Sequence, residues 1–423
     1  FADGSAIDIN LPNPMPVKDV LAVSFAHGSS TPYLITAASL LGNDIDYQGD
    51  MLHITTLSDV AGGSATLTGG DVLFTPDASY TGIMGFKYKV ADSQNNPGPT
   101  VNLIGTNQEA EMKGVVYLRT TDMPSDPFIT DEWYLSDTNI LPVWKDYTGQ
   151  GIKLGQFEPS DKFAVTDEIF DYRHPDLAPN VSQNFLASGD AITTFSNHAT
   201  LVAGVMVAAR NNDGAIGIAY DAKLAGYSLG PPGTAFESSA VSNFKNFDVV
   251  NNSWGSSTNF LPQSTAEDVS FYEAARDGRN GLGTIIVFGA GNERQLGGNT
   301  NYNLEAHSQL AITVGAINET GDLGALVISQ APFSNPGASI LVSAPGTNVT
   351  STSRLIENDE GSVFGSDFNA VQGTSFAAPI VSGVVALMLQ ANPNLGYRDV
   401  QDILALSAKK IIDTNTAWTD NHA

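Results

Sequence analysis

The chain has 423 residues, too many for one ordinary core, so two or three domains with ample room for a buried site are expected. With 19 Lys plus Arg against 45 Asp plus Glu, the net charge of −26 argues against nucleic acid or an anionic membrane as partner and favours cationic ligands, calcium among them. The absence of cysteine excludes a disulfide framework and any Cys-based metal or redox chemistry.

The chain opens on FADGSAIDINLPNPMPV, which lacks the basic start and apolar centre of a signal peptide, and no uninterrupted apolar run is long enough to span a bilayer. A secreted protein of bacterial type fits, its leader already removed or its export by another route. From about residue 18 to 120 short β-rich runs are broken by Gly, Asn, Asp and Ser. Alternation in FKYKV and the Gly-Gly turn of TLTGGDVLF predict antiparallel hairpins in an all-β sandwich. Asp44, Asp46 and Asp50 suit calcium or plain solvated turns equally well. The linker, residues 121–130, carries two prolines in TTDMPSDPF. Beyond it, in 131–423, apolar strands (GIKLGQF, FDVVNNS, GTIIVFGAG) alternate with helical stretches (HATLVAGVMVAAR, FAAPIVSGVVALMLQA). That is the grammar of a parallel sheet covered by helices, whose sites lie at the carboxyl ends of the strands.

The unusual residues of this half cluster at such ends. Ser375 follows a Gly-Thr turn and opens a long apolar helix, where the partial positive charge of the terminus favours an attacking oxygen. A lone serine there is an ordinary N-cap, but Pro379 inside the helix signals a constrained geometry. Six histidines are present, and His198, opening a helix rich in small residues, is the best placed to serve as its base. Asn292, where a buried strand runs out through Gly-Ala-Gly, is the candidate oxyanion donor. Ser253, Trp254 and Gly255, ending another strand, offer backbone for an extended peptide.

Taken together, HATLVAG, NNSWG, GAGN and GTSFAAPIVSG resemble the subtilisin-like serine proteases. SDPFITDEWYL, YTGQGIKLGQF, HPDLAPN, GGNTNY and FSNPGASILVSAPG narrow the resemblance to the kexin-like, proprotein-convertase-like branch over about residues 125–423. LLGNDIDYQGDMLHITTLSD with VLFTPDASYTGIMGFKYKVADS resembles the cadherin-like or immunoglobulin-like modules of bacterial surface proteins. The resemblance implies an α/β subtilisin-like fold with helices on both faces of the sheet. It makes Ser375 the nucleophile, His198 the general base, and Asn292 with the Ser375 N–H the oxyanion hole. It also implies a calcium site from Asp126, Asp176 and Asn211, with carbonyls near Asp213, Ala215 and Gly217.

Departures from the pattern matter as much. His-Gly-Thr reads His198-Ala199-Thr200. Gly298, Asn299 and Asn303 stand where acids would select basic residues, so strict dibasic cleavage is not expected, and with Asn335 they weaken the branch's second calcium site. The third acid of the triad has two registers. Counted forward from YTGQG, it is Glu158; counted backward from HPDL, it is Asp167, with Asp161 between them. Glu158 is favoured, because an insertion is tolerated better in a loop after the acid than between a buried strand and its turn.

The expectation is a calcium-stabilised serine endopeptidase acting on proteins or peptides, preceded by a β-module (1–120) left to contact the catalytic half or a surface partner. The alternative is an inactive protease-like adhesion or binding protein. The final stretch, AKKIIDTNTAWTDNHA, stops where the kexin-like family continues into a further strand and helix, which suggests a fragment of a longer protein.

Overall fold

The computed structural model describes residues 14–411 except 47–48, 98–99, 103–108, 112, 160–167, 183–193, 230–234, 256–264, 304, 321–326, 355, 358–362 and 365. Two compact units emerge, one from the described residues up to Met123 and one from Pro124 onward.

The first unit contains β1 (Asp19–Ala22), β2 (Tyr33–Ile35), the short helix α1 (Ala37–Leu41), β3 (His53–Ala61), β4 (Gly63–Thr68), β5 (Asp71–Pro76), β6 (Met84–Ala91), β7 (Thr100–Asn102), β8 (Glu109–Glu111) and β9 (Gly114–Arg119). They form sheets ordered β1-β9-β6-β3 and β2-β5-β4, with a separate β7-β8 pair. Alternate residues of β5 and β9 are buried, the period of two expected of sheets with one face on a core. That core joins Leu40, Val72, Phe74, Met84, Phe86, Tyr88, Val116 and Leu118. The TLTGGDVLF hairpin pairs Thr68 with Asp71 across Gly69-Gly70, as its sequence predicts. One pairing departs from the antiparallel expectation: β1 runs parallel to β9.

The second unit holds α2 (Trp133–Asp137), β10 (Lys153–Glu158), β11 (Glu168–Ile169), β12 (Thr194–Phe195), α3 (Asn197–Val207), β13 (Lys223–Ser228), α4 (Ala235–Val241), β14 (Val249–Asn252), α5 (Thr265–Asp277), β15 (Ile285–Gly289), β16 (Ala311–Thr320), β17 (Val327–Gln330), β18 (Ile340–Pro345), β19 (Val349–Thr352), β20 (Ile356–Glu357), β21 (Val363–Phe364), β22 (Phe368–Val371), α6 (Thr374–Ala391) and α7 (Tyr397–Ser407). Its main sheet is ordered β13-β10-β14-β15-β16-β17, with β18 also on β16, and every pairing is parallel except that of β17. β14 and β15 are buried at every position, as strands covered on both faces must be. Phe271 of α5 joins Phe157, Phe244 and Phe288 in one cluster, and α6 packs on β14, β15 and β16.

Small residues let α3 approach its neighbours. A Cβ on Gly204 would sit 2.3 Å from Ser351 Oγ, and the Ser351 and Thr352 hydroxyls donate to the carbonyls of Leu201 and Thr200. α6, at 18 residues, is long and apolar enough to cross a membrane, but most of it is buried inside the protein as a core helix. In the linker region, Pro127–Thr130 forms a 3-10 turn with Ile129 and Thr130 buried and Asp126 fully covered.

Candidate active site

Three adjacent parallel strands deliver residues to one end of the sheet. β10 ends at Glu158, β14 leads into Ser253, and β15 leads through Gly289-Ala290-Gly291 to Asn292. Two helices start at the same end. α3 carries His198 in its first turn, capped by Ser196 Oγ, which accepts from the Ala199 N–H; α6 carries Ser375 as its second residue.

Glu158 Oε2 lies 3.3 Å from His198 Nδ1, with the acid side chain 4% exposed and the imidazole 35% exposed. A buried carboxylate thus faces a base that solvent and ligands can reach. Gln156, two residues back on the same face of β10, donates Nε2 to Ala199 O at 2.8 Å and lies 3.4 Å from Glu158 Oε1, so it ties strand and helix together beside the pair. Ala199, the departure from His-Gly-Thr, is itself buried and supplies that carbonyl. The imidazole also lies against the Phe376 ring, centroids 5.6 Å apart, which brings the residue after Ser375 onto His198. Asp161 and Asp167 lie outside the described residues.

Pro379 has a specific consequence at this helix start. Lacking an N–H, it cannot bond the carbonyl four residues earlier, that of Ser375. The Ser253 hydroxyl donates to that carbonyl instead, at 2.7 Å, and accepts from Asn251 Nδ2, whose Oδ1 accepts from the Ser382 hydroxyl. Ser375 Oγ in turn donates to Ser253 O at 3.1 Å. The oddity noted in the sequence therefore stitches the start of α6 to the end of β14.

Asn292 is oriented by the neighbouring threonine. Its Oδ1 accepts from Thr374 N at 2.9 Å and Thr374 Oγ1 at 3.1 Å, and the Thr374 hydroxyl accepts from Gly291 N. With its oxygen occupied, the carboxamide turns Nδ2 toward the start of α6, 3.6 Å from where a Gly373 Cβ would be. Nearby, Trp254 packs edge-on against Phe288, and Gly255 approaches Asn303. SSTNF, residues 256–260, lies outside the described residues.

The amides standing where the kexin-like branch has acids serve local structure. Asn299 Oδ1 accepts from Asn301 N, Asn303 Oδ1 from Ala306 N, and Asn335 donates Nδ2 to Glu293.

A second cluster surrounds the loop after α3. Asp126 and Asp176 are fully buried. Asp126 Oδ1 accepts from the Asn211 and Asn212 N–H groups, while Asp126 Oδ2, also buried, has no hydrogen-bond partner. Asp176 accepts from Asn211 Nδ2 and Ala215 N, and burial pushes it up to about 7. Asp213 N donates to Asn211 Oδ1, and Gly217 N to Ala208 O. Sequence reasoning missed Glu132. It is buried well above the ordinary carboxyl range, Oε1 accepting from Ile216 N and Tyr134 OH and Oε2 unpartnered. An acid among aromatic residues in TDEWYL was the available signal. In the first unit Asp46 and Asp50 come together with Asp92, their ligand atoms within 4.8 Å of one another. Asp44, grouped with them in the sequence, turns to Tyr88 instead.

Comparison with known proteins identifies the family. The family model for the subtilase family matches residues 162–422, and that for a cadherin-like domain matches residues 12–103. Protease KEX1 of Kluyveromyces lactis is 28% identical over 324 residues, covering 70% of this chain and 39% of that protein. Kexin of Saccharomyces cerevisiae is 30% identical over 310 residues, covering 67% and 35%. The chain thus spans well under half the length of these two curated relatives. Among solved structures, a serine protease of Aeromonas sobria superposes with a TM-score of 0.57 at 21% identity, over 74% of this chain and 61% of that one, a likeness of fold.

Proposed function

The chain belongs to the subtilase family, with a cadherin-like domain ahead of the subtilase unit, and on that premise we propose that it is a secreted serine endopeptidase working through Ser375, His198 and Glu158. Ser375 Oγ attacks the scissile carbonyl carbon while His198 takes the hydroxyl proton. The tetrahedral oxyanion is met by Asn292 Nδ2 and the Ser375 N–H at the start of α6. Collapse expels the amine with the proton from His198 and leaves an acyl-enzyme on Ser375; water, deprotonated by His198, then releases the acid. Glu158 orients the imidazole through Nδ1 and stabilises its protonated form. The backbone of Ser253, Trp254 and Gly255 pairs with the extended substrate, and preference is broader than paired basic residues, since Asn299 and Asn303 replace acids.

The observation that carries this reading is the pairing of a buried carboxylate with an accessible imidazole, Glu158 to His198 at 3.3 Å, beside the helix that presents Ser375. Ser375→Ala is expected to abolish casein cleavage and fluorophosphonate labelling while circular dichroism and the melting temperature are retained. Undiminished cleavage by that variant would sink the assignment.

Calcium fits the residues around the loop after α3. Two fully buried acids, one with an oxygen lacking any partner and one held near 7 by burial, suit a hard cation. Asp126, Asp176 and Asn211 would hold it, with carbonyls at Asp213, Ala215 and Gly217. When bound, the ion supplies the charge that lets both acids ionise within the fold.

A further inference from the structure

Glu293 follows Asn292, and in the sequence it reads either as a solvated charge or as a reader of basic substrate side chains. Its contacts point elsewhere. Glu293 Oε2 accepts from the Asn292 backbone N–H at 2.8 Å and from Asn335 Nδ2 at 3.0 Å. Asn335, 6% exposed, donates its own N–H to Gly291 O at 2.9 Å, and Arg294 N donates to Phe333 O at 3.2 Å. The segment 291–294 is therefore tied to 333–335 through backbone bonds at both ends and through the Glu293 carboxylate at its centre.

Space confirms how tightly these groups meet. Gly291 has φ +92°, and a Cβ there would lie 2.4 Å from Asn335 Nδ2 and 2.8 Å from Glu293 Oε2. Asn292 is thus held from two directions, its side-chain oxygen by Thr374 and its backbone N–H by Glu293. The carboxylate caps an N–H that the turn after β15 leaves without a strand partner, and a charge-assisted bond of this kind is roughly twice as strong as a neutral one.

We infer that Glu293 is a positioning residue that fixes the aim of the Asn292 carboxamide, acting through the Asn292 N–H and Asn335 rather than by contact with substrate. The inference rests on the peptidase reading and adds the element that keeps the oxyanion donor in register. A donor to the oxyanion acts only if it is already in place, and a misplacement of about 1 Å costs on the order of 100-fold in rate.

The test is steady-state kinetics on the full chain, with active sites counted by a fluorophosphonate and with peptides carrying Arg, Leu or Glu at the cleaved position. Glu293→Ala should lower kcat by about 10- to 100-fold for all three peptides alike, with KM nearly unchanged. Glu293→Gln, which keeps a carbonyl oxygen for both donors, should recover most of that loss. Asn335→Ala, an independent variant should Glu293→Ala fold poorly, should lower kcat in the same uniform way, and the double variant should lose less than the two single losses multiplied. A fall confined to the Arg peptide would mean that Glu293 reads substrate and would overturn the inference, as would an unchanged kcat in Glu293→Ala. Either result leaves Ser375-dependent cleavage, and with it the peptidase reading, standing.

Discussion

Asp19 and Asp44 in the first unit and Glu158 in the second are carboxylates withdrawn from water in a chain that already carries a net charge of −26, yet their surroundings meet the cost in different ways. In the first unit Tyr88 OH lies 3.1 Å from Asp19 Oδ2, 3.0 Å from both oxygens of Asp44 and 3.2 Å from Leu40 O. One hydroxyl proton cannot serve four acceptors, and burial pushes Asp19 up to about 6 and Asp44 in the same direction. In the second unit Glu158 faces an imidazole able to take a proton of its own. Burial raises the first pair, which costs stability once either acid must ionise, whereas Glu158 stands beside an imidazole that it can orient, the arrangement proposed above to serve chemistry.

Three experiments sharpen or break that contrast. The largest effect is expected at the charge itself: Glu158→Gln should cut turnover by roughly 10³- to 10⁴-fold at neutral pH, as loss of a triad acid does, while Asp167→Asn should stay within a few-fold. Steady-state rates with a peptide amide decide it, and a comparable collapse in Asp167→Asn would transfer the role. The buried acids at Asp126 and Asp176 should behave as a third case, relieved by a cation. Chelation should lower the melting temperature by about 5–10 °C, the effect of about 2.7 kcal/mol at a hundred times the dissociation constant, and Asp176→Asn should abolish that sensitivity. An unchanged melting curve in chelator would count against the site.

The smallest effect concerns the first unit. Between pH 4 and 6 the folded state holds a proton on Asp19 that the unfolded chain, with its carboxyl near 3.8, has released. Stability is therefore greatest below that value and falls as pH rises through about 6, by at most about 3 kcal/mol. The protection of β6 amides in the full chain, corrected for the intrinsic pH dependence of exchange, should fall over that interval, and Asp19→Asn should flatten that profile. A pH-independent protection in the native chain would show that the proton is not held.

Much was legible beforehand. The parallel strands GIKLGQF, FDVVNNS and GTIIVFGAG and the two long helices stand where the text puts them, because continuous apolar runs bounded by Gly and Asn admit few other structures. The Gly-Gly hairpin was legible for the same reason. What could not be read were contacts between residues distant in sequence: Thr374 gripping Asn292, Ser253 replacing the N–H that Pro379 lacks, Glu132 behind the loop after α3, Asp92 joining Asp46 and Asp50. Asp44 was misjudged because a turn acid and an acid folded inward onto a phenol have the same local sequence.

The candidate third acid shows where the two kinds of information divide. Local sequence determined the family and the fold class and singled out Ser375, His198 and Asn292 as candidates, since each sits in a motif whose neighbours constrain it. The choice between Glu158 and Asp167 depended on register, and a linear text with an insertion supports two. The tertiary structure brings Glu158 to His198 because β10 lies between β13 and β14 with its carboxyl end beneath the first turn of α3, and a distance of 3.3 Å across forty residues of chain is set by packing, which no local pattern encodes.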